Sequence, residues 1–233
     1  MGDAQSRCRH CGHGGSGHGA HAGGGPQIAR LRSQCAQWRG PLGRGHAYGA
    51  VRVSGKVLGL VGSGRIALAV ARRAQGFGMR LAYTGRRRNE IFEAATGACY
   101  LDKKELLASS DFVSLHIPLT PETRHYMAAA DLALMPPHAV LVNTARGAVV
   151  DEEALVEALE GGRPGGAGLD VFEREPHAHP GLRMLPNVLM TPHRGVATPD
   201  SLIDMGEACA HKIFDALDGR LPQDCLNPHA RKA

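Results

Sequence analysis

From Lys56 onward the apolar residues fall into short runs, separated by stretches with helical spacing. Val57–Val61 is one such run, closing on Gly62, and reads as a buried strand. Arg65–Gly76 follows, with Ile66, Val70 and Ala74 spaced along one helical face. Further strands are expected at residues 81–84, 112–116, 139–143, 166–171 and 188–191, the second and third of them each following a helix-like stretch. Residues 151–160 carry the fullest helix signals: Asp151 at the cap, Glu152 and Glu153 in the first turn, Gly161 after the end. A last helix runs from Pro199 to Leu217 and stops at Gly219. Strand and helix in alternation predict an α/β fold, a doubly wound parallel sheet with a C-terminal helix.

The first fifty residues break this pattern. Residues 1–25 are mostly Gly, His, Ala and Ser, too poor in apolar surface to offset the entropy of ordering, so they are expected to be disordered. Residues 28–38 could form a short helix. Hydrophobic residues make up 43% of the 233 but aromatic ones only 4%, so Leu, Val and Ala must fill the core. No apolar run reaches membrane-spanning length and no signal-like segment opens the chain, so a cytoplasmic protein without membrane contact is expected. The six cysteines (Cys8, Cys11, Cys35, Cys99, Cys209 and Cys225) then read as free thiols. The net charge of +5 is neither gathered into a stripe nor interleaved with aromatics, which argues against nucleic acid and fits a small anionic ligand.

Two N-terminal signals are weak. Cys8 and Cys11, near His10, His13, His18 and His21, could hold zinc, but no second cysteine pair follows at a suitable spacing, and no metal is expected. Met1, Gly2 and Ser6 match a bare myristoylation pattern, which Asp3 argues against.

Gly62-Ser63-Gly64-Arg65-Ile66-Ala67 fits the G-x-G-x-x-G/A pattern between a strand and a helix, the context that gives it meaning. Gly62 makes the tight turn, Gly64 admits a pyrophosphate close to the backbone, and Ala67 allows close helix–strand packing. Free N–H groups at the helix start would face the phosphates. This makes the sheet Rossmann-type. The expected organisation is an irregular segment over 1–50, a dinucleotide-binding domain over 51–198, and a helix with tail over 199–233. The end of the second strand lacks the acid that takes the ribose hydroxyls in NAD-binding domains. It reads Gly85-Arg86-Arg87-Arg88-Asn89 instead. Arginine forks suit a 2′-phosphate, so NADPH is favoured over NADH.

Three later segments each follow a predicted strand, where an open parallel sheet gathers its ligand residues: residues 143–147 with Arg146, residues 168–176 with Asp170 and Glu175, and residues 191–198 with His193. Together with residues 59–67 and 116–123, these blocks resemble the D-isomer-specific 2-hydroxyacid dehydrogenase family. Leu81 to Arg88 and the second half look most similar to its glyoxylate/hydroxypyruvate reductases, and the resemblance covers about residues 50–228. It implies NADPH-dependent reduction of a short 2-oxo acid to the D-2-hydroxy acid. His193 would be proton donor, Glu175 its orienting partner, and Arg146 the holder of the substrate. Asp170 would lie beside nicotinamide and substrate, and Gly64, Arg65 and Ile66 would meet the pyrophosphate. Pro118 and Thr144 would line the cofactor cleft, and Gly195 would contribute backbone near the nicotinamide. A homodimer through the cofactor domain is also implied.

Such a family member would carry a substrate domain ahead of its cofactor domain, and nothing before Gly62 resembles one. That domain is expected to be largely missing, part of the last helix's apolar face to be unpaired, and turnover to be weak. A non-catalytic NADP(H)-binding module acting through a partner is the alternative. Ser63, Pro137 and Arg194 are smaller departures, Arg194 because a second cation beside His193 would oppose its protonation.

Overall fold

The computed structural model describes residues 52–222 and Cys225. The expectations for residues 1–25 and 28–38, and for Cys8 and Cys11, lie outside those residues. Seven parallel strands form one sheet: β1 (Val57–Val61), β2 (Arg80–Thr84), β3 (Cys99–Tyr100), β4 (Phe112–Leu115), β5 (Val140–Asn143), β6 (Gly166–Leu169) and β7 (Val188–Met190). Their spatial order is β3-β2-β1-β4-β5-β6-β7. The helices are α1 (Arg65–Gly76), α2 (Glu90–Thr96), α3 (Lys103–Ser109), α4 (Ala129–Leu132), α5 (Glu152–Glu160) and α6 (Pro199–Leu217). The order reverses between β1 and β4, the switch point at which open α/β sheets bind ligands beyond their carboxyl ends. The sheet is therefore the Rossmann type that the glycine loop anticipates.

Alternation along β1 divides the core. Leu58 and Leu60 pack with α1 and α2, while Val61 joins the cluster on the other side. Gly59 points at α3, where a Cβ would come within 2.3 Å of Ser110 Oγ and 2.8 Å of Leu106 Cδ2, so only glycine lets that helix approach. On α1 the buried stripe is Ala67, Ala71 and Ala74, one residue round from the face expected at Ile66, Val70 and Ala74. Ile66 stays 69% exposed. Helix and sheet lie too close for larger side chains, so packing distance outweighs hydrophobicity here.

The loop after α3 anchors the lower edge of the sheet. Asp111 accepts from Lys56 Nζ and Val57 N–H and bonds His138 Nε2, each at 2.8 Å. Burial alone would raise its carboxyl; these partners outweigh burial and hold it at about 2. Asp151 caps α5 by accepting from Ala154 N–H at 3.1 Å. At the other end Gly161 remains helical, and Gly162, with φ of 73°, makes the left-handed exit. Helix α6 is capped by Thr198 and buries none of its residues; Leu202, Ile203, Phe214 and Leu217 are all more than half exposed.

Candidate active site

The carboxyl ends of β1, β2 and β4 surround a groove of about 1030 Å³ lined by the 62–64, 85–91 and 116–118 segments. Gly62 has φ of 106°, and a Cβ there would meet His116 O at 2.6 Å, so turn and close packing both require glycine. Gly64 has open space where its Cβ would be, on the side a phosphate would approach. It caps α1 without any side-chain hydrogen bond, and no acid sits in the first turn. The first N–H groups of α1 are left for an anion. These features fit a dinucleotide pyrophosphate.

The three arginines separate. Arg88 grips Glu93 through Nε at 2.8 Å and Nη2 at 2.7 Å. The hydrogen bond from Arg88, then that from Tyr83, holds Glu93 below the usual carboxylate range. Arg88 is thus engaged with Glu93 while it lines the groove wall with Arg86 and Arg87, all three exposed. Asn89 fixes the loop. Its N–H donates to Tyr83 OH at 2.7 Å, its Oδ1 accepts from Phe92 N–H at 3.1 Å, and its Nδ2 donates to Ser63 Oγ at 3.1 Å. Sequence reasoning gave Asn89 no role; its cap on Phe92 N–H is a local signal that could have shown it, whereas Ser63 reaches it only through the fold. His116, also in the groove and also unassigned, bonds Ser114 Oγ at 2.9 Å. Burial pushes it down to about 4, so it is neutral at physiological pH.

The second cluster lies beyond β5, β6 and β7. His193 Nδ1 is 2.9 Å from Glu175 Oε2. The hydrogen bond from His193 holds Glu175 below its ordinary range against the effect of burial, and Phe172 N–H and Arg146 assist. An ionised carboxylate only accepts, so Nδ1 carries the hydrogen of this bond and Nε2 faces away from it. His193 has φ of 52°, an uncommon conformation for a residue with a side chain. Its N–H donates to Asp170 O at 2.8 Å and to Thr191 O at 3.0 Å. Asp170, 7% exposed, accepts from Thr191 Oγ1 at 2.5 Å and from Arg194 and Gly195 N–H, each at 2.8 Å. Backbone strain at His193 is thus held by its neighbours on both sides. Three of the roughly four lone-pair positions of Asp170 are used within this loop. Asp170 thus shapes the loop that carries His193. Arg194 contributes its backbone N–H while its side chain is exposed.

Arg146 stands at the turn after β5. Buried Asn143 shapes that turn, donating from Nδ2 to Arg146 O and accepting from Ala145 N–H, both at 3.0 Å. Of the expected cofactor residues, Gly62, Gly64, Arg86, Arg87, Arg88 and Pro118 line the groove. Arg65 and Ile66 open α1 beside it, and Thr144, Asp170 and Gly195 belong to the second cluster's loops instead.

Comparison with known proteins agrees with the fold. The profile of the D-isomer specific 2-hydroxyacid dehydrogenase NAD binding domain matches residues 27–195. A glyoxylate reductase of Thermococcus litoralis is 47% identical over 175 residues, covering 75% of this chain and 53% of that protein. A glyoxylate/hydroxypyruvate reductase B of Pectobacterium atrosepticum is 42% identical over 203 residues, 86% of this chain and 63% of that one. The crystal structure of a glyoxylate reductase from Paecilomyes thermophila superposes with a TM-score of 0.72 at 40% identity, over 84% of this chain and 57% of that one. The chain therefore spans a little over half the length of the relatives it matches. Because the profile itself spans well over half of the chain, it settles the family: the chain belongs to the D-isomer-specific 2-hydroxyacid dehydrogenases.

Proposed function

We propose that the chain binds NADPH in the β1–β2–β4 groove and supplies the proton in the reduction of a short 2-oxo acid of the glyoxylate or hydroxypyruvate kind. The observation that carries this is the His193–Glu175 pair, 2.9 Å apart at the same sheet edge as the groove. When bound, the nicotinamide cofactor supplies the hydride. The ketone oxygen then needs a proton, which His193 Nε2 gives from the protonated ring while Glu175 holds that ring in place through Nδ1. Arg146 offers a planar fork that matches the substrate carboxylate. Exposed Arg86 and Arg87, with no acid at the end of β2, support NADPH over NADH.

A second reading has its own support. The His193 and Glu175 side chains are 51% and 38% exposed, so water reaches the pair. An open site favours weak turnover, and in the limit a module that only binds NADP(H). Fluorescence titration with NADPH and NADH, followed by hydroxypyruvate addition with absorbance read at the nicotinamide band, tests both. Tighter NADPH binding with slow, substrate-dependent oxidation is expected. Equal affinities would overturn the cofactor preference, and binding without any oxidation would leave the binding module standing.

A further inference from the structure

The loop that presents Glu175 is fastened on both flanks to one carboxylate. Glu152, the first residue of α5, is 7% exposed. Its Oε1 accepts from Glu173 N–H at 2.6 Å and its Oε2 from His179 N–H at 3.1 Å. Glu173 reciprocates, its Oε1 accepting from Glu152 N–H at 3.1 Å. Arg124 Nη2 holds Glu173 Oε2 at 3.3 Å. A carboxylate this buried is costly unless its lone pairs are met, and here the loop's own backbone meets them. Helix capping does not explain it, since Asp151 already accepts from Ala154 N–H.

We propose that Glu152 is a positioning residue: by bridging Glu173 and His179, it sets the loop that holds Glu175 against His193. Asp170 does the corresponding work for the His193 loop, so each partner of the pair has its own buried acid. The inference rests on the catalytic reading of that pair, but its test does not require turnover.

Glu152→Gln keeps the size of the side chain and turns one acceptor into a donor, so one of the two loop N–H groups loses its partner. His179→Pro deletes the other side of the contact, at a residue whose φ of −55° already suits proline. In the full chain, carbon NMR titration of the Glu175 carboxyl reads its contact with His193, and NADPH fluorescence reads the remote groove. Both variants should shift the Glu175 titration to higher pH while NADPH affinity stays within about twofold, roughly 0.4 kcal/mol. Glu153→Gln, at the exposed neighbour, should change neither. Where the parent chain turns over hydroxypyruvate, kcat should fall about tenfold with KM held. An unchanged Glu175 titration in a folded variant, even with a lowered Tm, would overturn the proposal by making Glu152 structural only. Concurrent loss of NADPH binding, or failure of both variants to fold, would overturn it too. A parent chain with no turnover would instead sink the catalytic reading, and the titration would still decide the role of Glu152.

Discussion

Two regions share the carboxyl edge of this sheet and are built on different plans. The groove at β1, β2 and β4 is made of glycines, helix-start N–H groups and exposed guanidinium groups, with room left open at Gly64. The cluster at β5, β6 and β7 is made of acids and an amide turned onto backbone N–H groups: Asn143, Glu152, Asp170 and Glu175. The first leaves its donors for a ligand, and the second satisfies them internally to hold one histidine. Damage to the groove should therefore appear as lost affinity, and damage to the cluster as lost chemistry or lost fold.

The largest expected effect comes from His193→Ala. Steady-state kinetics should show kcat lower by about 10²- to 10⁴-fold, the ordinary worth of a positioned acid, with NADPH affinity unchanged. A matching loss of affinity would break the division between the regions. Next is Gly147→Ala in the turn after β5, where the added Cβ would sit 1.9 Å from Phe172 C and 2.0 Å from its O. Urea unfolding should show a loss of about 3 kcal/mol, since backbone cannot move aside as a side chain can. Arg86→Ala and Arg87→Ala follow, each weakening NADPH about tenfold while sparing NADH, at about 1.5 kcal/mol per charge-assisted bond. Arg88→Ala should do less, because its fork is already on Glu93; an equal effect would return it to the ligand.

An effect independent of both regions lies beneath them. Asp111 is held at about 2 when folded, against an ordinary 3.8. A depressed carboxyl contributes stability that is complete above the ordinary value and lost as pH falls through the folded one. Urea unfolding between about pH 4 and pH 2 should show that loss, and Asp111→Asn should flatten it. An unchanged slope in the variant would assign the acid limb to other groups.

How legible each region was follows from the range of its interactions. The glycine loop, the Asp151 cap and the bounds of α1 and α6 are set by residues within a turn of one another, and the sequence displayed them. β3 has two residues and no periodicity to read. The Arg88–Glu93 pair runs from a loop to a helix, so the run of arginines gave no sign that one of the three is paired within the fold. The three donors on Asp170 come from residues more than twenty positions away, as do both donors on Glu152. Resemblance named Glu175 and His193, but no local pattern could announce what holds them.

Helix α6 and the sheet differ in how readily they open. The strands exchange their amide hydrogens only when the sheet comes apart, because Leu60, Leu115 and Leu141 are fully buried on them. A nineteen-residue helix with no buried residue draws little on the core, its backbone ladder and Thr198 cap being local bonds, so it can unravel while the sheet stays whole. In deuterium its amides should exchange well before those of β1, β4 and β5. A binding partner that covers Leu202 and Phe214 would be recognised first by slowing that clock.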